Sequence, residues 1–233
     1  MKHINKNSLI VALLAVLTTA YGQEEEDDGK LKIDAGADLV SSYVWRGLYQ
    51  AGTSFQPSFS LSAKGFTFGS WASADFSAFI KELDFYFSYE IKRFSIGIFD
   101  FWSRPEGTSF FKDRKSHSLE LNLGYSFSEK FPLRLEVNTM FTGDDEKDEK
   151  GKRLYSTYIS ADYSFAVRQV DCEAGVAISP WKGVYTDKFN VAVIRVKASR
   201  SLRFASEYAL PVFVELILTP AQDNAFLVFG LTF

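Results

Sequence analysis

An alternation of apolar and polar residues with a period of two runs from Leu31 almost to the end of the chain, and it restricts the possible folds more than any other feature. Successive side chains of a strand point to opposite faces, so this period asks for sheet and argues against helix. The last segment shows it most cleanly. Ala225, Leu227, Phe229, Leu231 and Phe233 fall on one face of a strand that ends on an aromatic. A closing amphipathic strand with a terminal aromatic is the pattern of an outer-membrane β-barrel, whose aromatic sits at the membrane interface.

About twelve such strands can be marked out. Apolar faces include Leu31 to Leu39 with Tyr43 and Trp45 at the rim, Phe55 to Ala63, Phe66 to Phe76, Leu83 to Tyr89 and Phe94 to Ile98. Leu119 to Phe127, Leu133 to Phe141, Tyr155 to Phe165, Cys172 to Ile178, Ala192 to Ala198 and Leu210 to Leu218 follow, before the terminal strand. Segments of nine to eleven residues suit a tilted crossing of a bilayer. Connections at 64–65, 91–93, 128–132 and 166–169 are short, as periplasmic turns are. Those at 47–54, 103–117, 142–153 and 180–188 are longer and more polar, as extracellular loops are, while Ser199–Glu207 is a longish loop on the turn side. The expected fold class is all-β, a transmembrane antiparallel up-and-down barrel of about twelve strands over residues 31–233. The soluble alternative is a sandwich or lipocalin-like barrel, which would bury the apolar face and show shorter aromatic runs.

The front of the chain agrees. Lys2 and Lys6 precede an apolar run from Leu9 to Leu17, with Ala20 and Gly22 after it, which predicts a signal peptide over 1–22. Residues 23–30 read as an acidic, disordered leader. No later stretch approaches the roughly 18 apolar residues of a membrane helix. Aromatics make up 16% of the chain, which suits barrel strands with aromatic girdles. Cys172 is the one cysteine, so no intrachain disulfide forms; its phase places it on the lipid face, as plain apolar packing.

In a membrane barrel the polar face lines the lumen. Asp34, Asp38, Asp75, Glu82, Asp84, Glu120, Glu136, Asp162, Glu173 and Glu215 fall on that face, against Arg46, Arg134, Arg195 and Lys197. Two readings stay open. The charges form a salt-bridge network that fills a narrow barrel, or they line a water-filled, cation-preferring path.

Near the front stands Asp38-Leu-Val-Ser-Ser-Tyr-Val-Trp-Arg-Gly-Leu-Tyr49, then Phe55-Gln-Pro-Ser-Phe59. This resembles the signature of the TorF-type porin family, as do Glu82-Leu-Asp-Phe85, Ser179-Pro-Trp-Lys-Gly-Val-Tyr185 and the terminal Phe-Gly-Leu-Thr-Phe. The resemblance spans most of the chain after the leader, while its specific motif covers about ten residues. It implies an outer-membrane porin and names no solute. In the motif itself, Tyr43 and Trp45 read as girdle aromatics at the outer rim, and Arg46 falls on the lumen phase. Arg46 could pair with Asp38 or Asp75, either as a rim anchor or as a selectivity or ligand-contacting residue.

Chemistry for catalysis is missing from the pattern. No Gly-rich phosphate loop, paired-cysteine motif or histidine cluster appears. His117 stands in the basic loop Lys112-Asp-Arg-Lys-Ser-His117 and reads as a solvated loop histidine, since neighbours on one loop do not define a triad. The basic residues there could instead touch lipid phosphates. Asp144–Lys150 reads as a solvated hairpin tip without calcium-loop spacing. The expectation is a non-enzymatic barrel without cofactor, metal or nucleic-acid partner. Its partners would be outer-membrane lipid, the barrel-assembly machinery and small solutes or ions. The alternative is a closed-lumen structural barrel that interacts through its loops.

Overall fold

The computed structural model describes residues 30–76, 82–103, 109–112, 116–143, 145–203 and 209–233. The signal peptide and all of the acidic leader except Lys30 lie outside the described residues.

Twelve strands close into one antiparallel barrel. They are β1 (Lys32–Val40), β4 (Ser54–Ala63), β5 (Phe66–Asp75), β6 (Glu82–Ile91), β7 (Phe94–Ser103), β8 (His117–Ser128), β9 (Phe131–Met140), β10 (Thr157–Val167), β11 (Val170–Ser179), β12 (Asn190–Arg203), β13 (Ala209–Thr219) and β14 (Asn224–Thr232). Each pairs with its neighbours in the chain, and β1 closes the ring against β14 through Asp38↔Thr232, Leu39↔Leu231 and Val40↔Gly230. Two short strands, β2 (Tyr43–Trp45) and β3 (Leu48–Ala51), pair only with each other and stand outside the ring.

Turn chemistry sets the up-and-down order. Lys64-Gly65, Lys92-Arg93, Glu129-Lys130 and Arg168-Gln169 are two-residue connections at the end where β1 begins and β14 stops. Lys64 (φ 52°), Gly65 (79°), Lys92 (56°) and Arg168 (58°) take left-handed backbone, the conformation whose twist matches that of the flanking strands. The long connections gather at the opposite mouth.

The two faces follow the sequence phase. Phe59, Phe68, Phe87, Ile98, Val176 and Phe229 stand exposed on the outer wall, while Gln56, Asp84, Glu120, Asn138 and Glu173 are buried within. A soluble barrel would invert this arrangement. Among the described residues no helix is long and apolar enough to cross a membrane, which says nothing about strands.

Two expectations need correction. Ser199–Arg203 is not loop: β12 carries its ladder with β13 through Ser201↔Pro211 to Arg203↔Ala209, and the polar residues ride on that pairing. Only 204–208, outside the described residues, remain for a connection. Ala192 does not join the outer face. The β11–β12 register slips between Ala177↔Val193 and Ile178↔Val191, so Ala192 sits at an irregularity and is buried in an internal cluster with Val193, Ile217, Val228 and Tyr185.

Candidate functional site

The internal apolar cluster exists because the chain between β1 and β4 folds inward. After Ser41-Ser42 it doubles back as the β2–β3 hairpin, and Val44, Trp45 and Leu48 pack on the cluster. Arg46 (φ 49°) and Gly47 (φ 84°) form its tip. A Cβ on Gly47 would lie 2.7 Å from Thr219 Cγ2 and 2.8 Å from Val193 Cγ2, so the tip is wedged between β12 and the end of β13. Tyr43 meets Trp71 of β5 (5.3 Å between ring centroids), Trp45 meets Phe101 of β7 (5.5 Å), and Tyr49 stacks near Phe226 of β14 (6.3 Å). The hairpin thus touches the wall on opposite sides of the mouth away from the termini. Tyr43 and Trp45 are not outward girdle aromatics, as their phase suggested; they lie inside.

Arg46 is the centre of this arrangement. Both terminal nitrogens donate to Glu120 of β8, Nη2 to Oε1 at 2.8 Å and Nη1 to Oε2. Nη1 also donates to the Tyr185 hydroxyl at 2.7 Å. The guanidinium carbon lies 4.8 Å from the Trp45 ring centroid, 5.0 Å from Tyr158 and 5.8 Å from Tyr185. A forked cation on a carboxylate, faced by aromatic rings, combines charge-assisted and cation–π attraction. The Glu120 side chain is 0% exposed and that of Arg46 16%. Burial pushes the Tyr185 phenol above its usual range, with Arg46 pulling the other way. Asn122 donates to Glu120 Oε1 (2.7 Å) and to Asn138, and its own Oδ1 is buried without a partner. The expected pairing of Arg46 with Asp38 or Asp75 is therefore wrong. Asp38 instead accepts from Thr232 Oγ1 at 2.6 Å across the closing seam, and Asp75 stands opposite Ser54 at the rim.

A second centre lies further along the lumen toward the termini. Arg195 of β12 donates to Asp162 (2.8 Å), to Glu173 and to Glu215 (3.1 Å), on β10, β11 and β13. It reaches Asp162 by crossing Gly175, where a Cβ would lie 2.1 Å from Asp162 Oδ1. Lys197 stands in register between Glu173 and Glu215, with its Nζ 4.1 Å from the Phe213 ring centroid. Arg134 binds Glu136 on its own strand at 2.7 Å and Ser126 at 3.1 Å. Two acids, Glu82 and Asp84, lie near Tyr43 under the hairpin, and Asp84 accepts from the Trp102 backbone at 3.3 Å. The lumen acids Glu120, Glu136, Asp162, Glu173 and Glu215 thus each meet an arginine, three of them sharing Arg195.

Two loop expectations change as well. His117 opens β8 and is held: Nδ1 lies 3.0 Å from both Asp100 oxygens and Nε2 2.8 Å from the Phe110 carbonyl. This pair lies on the outward phase at the rim and fastens Phe110 over Trp102, whose ring is 5.2 Å away. In the acidic loop, Asp145 is buried and accepts from the Tyr155 and Ser156 backbone at 2.8 and 3.1 Å, while Glu146–Lys152 is exposed. Among the described residues no group of three His, Cys, Asp or Glu is placed to hold a metal.

No protein-family model matches this chain, and no curated protein matches it. Among solved structures it is similar to an outer-membrane channel from Pseudomonas putida F1, with a TM-score of 0.40 and 13% identity over 87% of this chain and 92% of that one. A likeness that loose carries no argument, and the site stands on its own geometry.

Arg46 was marked from sequence as a lumen residue, but the hairpin that carries it was not. Tyr43 and Trp45 continue the alternation of β1, which hides the break at Ser41-Ser42. The one local signal was Arg46-Gly47, a pair suited to a tight turn within what read as a strand end.

Proposed function

We propose that this protein is a non-enzymatic outer-membrane channel for small solutes or ions, cation-preferring, with its mouth constricted by the β2–β3 hairpin. The observation that carries the reading is the pairing of an apolar outer wall with a charged interior in a closed twelve-stranded ring. Lipid on one side and water on the other is the setting in which both faces are satisfied. The ten lumen carboxylates against four bases favour cations, less so at high salt. The signal peptide, delivery by the barrel-assembly machinery and the resemblance to TorF-type porins belong to the same reading.

The hairpin's contacts around the wall favour a second reading, a lumen kept shut. Planar-bilayer recordings decide between them. The channel reading expects discrete steps from the intact protein, a reversal potential of cationic sign in a potassium chloride gradient, and a larger step when residues 42–53 are replaced by a Gly-Ser linker. A silent bilayer from both proteins would overturn it and leave a structural barrel.

A further inference from the structure

The wall around Glu120 is built as a receptor for a planar cation. Glu120 offers both carboxylate oxygens from a fully buried position. From the β11–β12 connection the Tyr185 hydroxyl accepts a third hydrogen bond, and the rings of Tyr158 on β10 and of Tyr185 lie within cation–π reach of the guanidinium. The amide of Asn122 touches the same carboxylate and keeps a buried oxygen with no donor. A latch for a loop needs one ion pair; this is a set of acceptors matched to the fork of a guanidinium, a shape that an ammonium cannot fill. The group that occupies it is not part of the wall. It comes from the tip of a hairpin tethered at Ser41-Ser42 and Gly52-Thr53. Arg195 differs in each respect, being a wall residue shared among three wall carboxylates.

We propose that this wall site recognises guanidinium-bearing solutes, and that Arg46 is a tethered occupant that such solutes compete with and displace. Displacement frees the hairpin tip from Glu120, so the solute that binds is the one that opens the mouth. The displacement half rests on the channel reading; the recognition half does not. The chemical class is a monoalkyl guanidinium, and methylguanidinium is the probe.

Recognition is tested on the purified barrel in detergent, by the temperature at which it loses its heat-modifiable compact form. R46A empties the site, and methylguanidinium should raise its midpoint by several degrees. Methylammonium at the same concentration should not, nor should methylguanidinium act on R46A/E120Q. R46Q serves in the same assay if R46A does not fold. Equal responses to the two cations, or a response that survives E120Q, would overturn the recognition site. Displacement is tested in bilayers. Methylguanidinium on the hairpin side should raise wild-type open time severalfold and block R46A. A wild type that conducts but ignores methylguanidinium overturns displacement while the channel reading stands. Silence of all forms overturns the channel reading and displacement together, and leaves recognition to the melting result.

Discussion

Arg46 and Arg195 both sit in the lumen on carboxylates, yet they solve different problems. Arg195 projects from a strand and divides itself among Asp162, Glu173 and Glu215 on three other strands, tying four strands of wall together. Arg46 projects from a hairpin that belongs to no wall strand and commits its fork to one carboxylate, Glu120, with the Tyr185 hydroxyl as a further acceptor and aromatic rings around it. One centre is redundant and the other is not. Redundancy suits a part that must hold shape, and a single carboxylate partner suits a part that can be exchanged.

The sharpest way to break this contrast is to remove the single partner. Glu120→Ala leaves Arg46 half-buried beside no carboxylate and should cost about 3–5 kcal/mol in a urea unfolding titration. A cost no greater than that of losing one acid at Arg195 would erase the distinction. Next comes an arginine given no partner of either kind. Val176→Arg, on the outer wall, should cost about 2–4 kcal/mol in the same titration in vesicles, and Ser60→Arg on the lumen face far less. Equal costs would mean that the faces are misassigned. Asn122 is unsuited as a lumen control, because it supports Glu120. Gly47→Ala should cost about 1–3 kcal/mol, since its Cβ would meet Val193 and Thr219 in a left-handed backbone. It should also raise protease cleavage at the hairpin while leaving the barrel intact. The smallest effect is expected at the redundant centre. Glu215→Gln should cost about 1 kcal/mol, because Asp162 and Glu173 still hold Arg195.

The wall was legible because a half-apolar strand writes its two faces into alternate residues. Strand number, phase and the two-residue turn at Lys64-Gly65 follow from that local rule, while the connection read at 166–169 tightens to Arg168-Gln169. The contents of the lumen were not legible. Glu120 lies 74 residues from Arg46 in the chain, and only closure of the ring brings them together. Asp100 and His117 are hard to read for a related reason. Each is polar at an outward position, and they explain one another only once β7 and β8 are side by side. Counting charges on the lumen face does not say which of them are paired, since pairing depends on geometry that a count omits.

The hairpin's seat has a consequence for the order of assembly. Its residues come early in the chain, yet the notch that receives Gly47 is made by Val193 and Thr219, and the ring beneath Tyr49 is Phe226. Neighbouring strands can zip through short turns at little entropic cost, whereas these contacts wait for the ring to come round. A barrel that lacks β12 to β14 therefore has nowhere to dock its hairpin. The half-built protein is an open scaffold, and the hairpin takes its seat only after the last strands arrive.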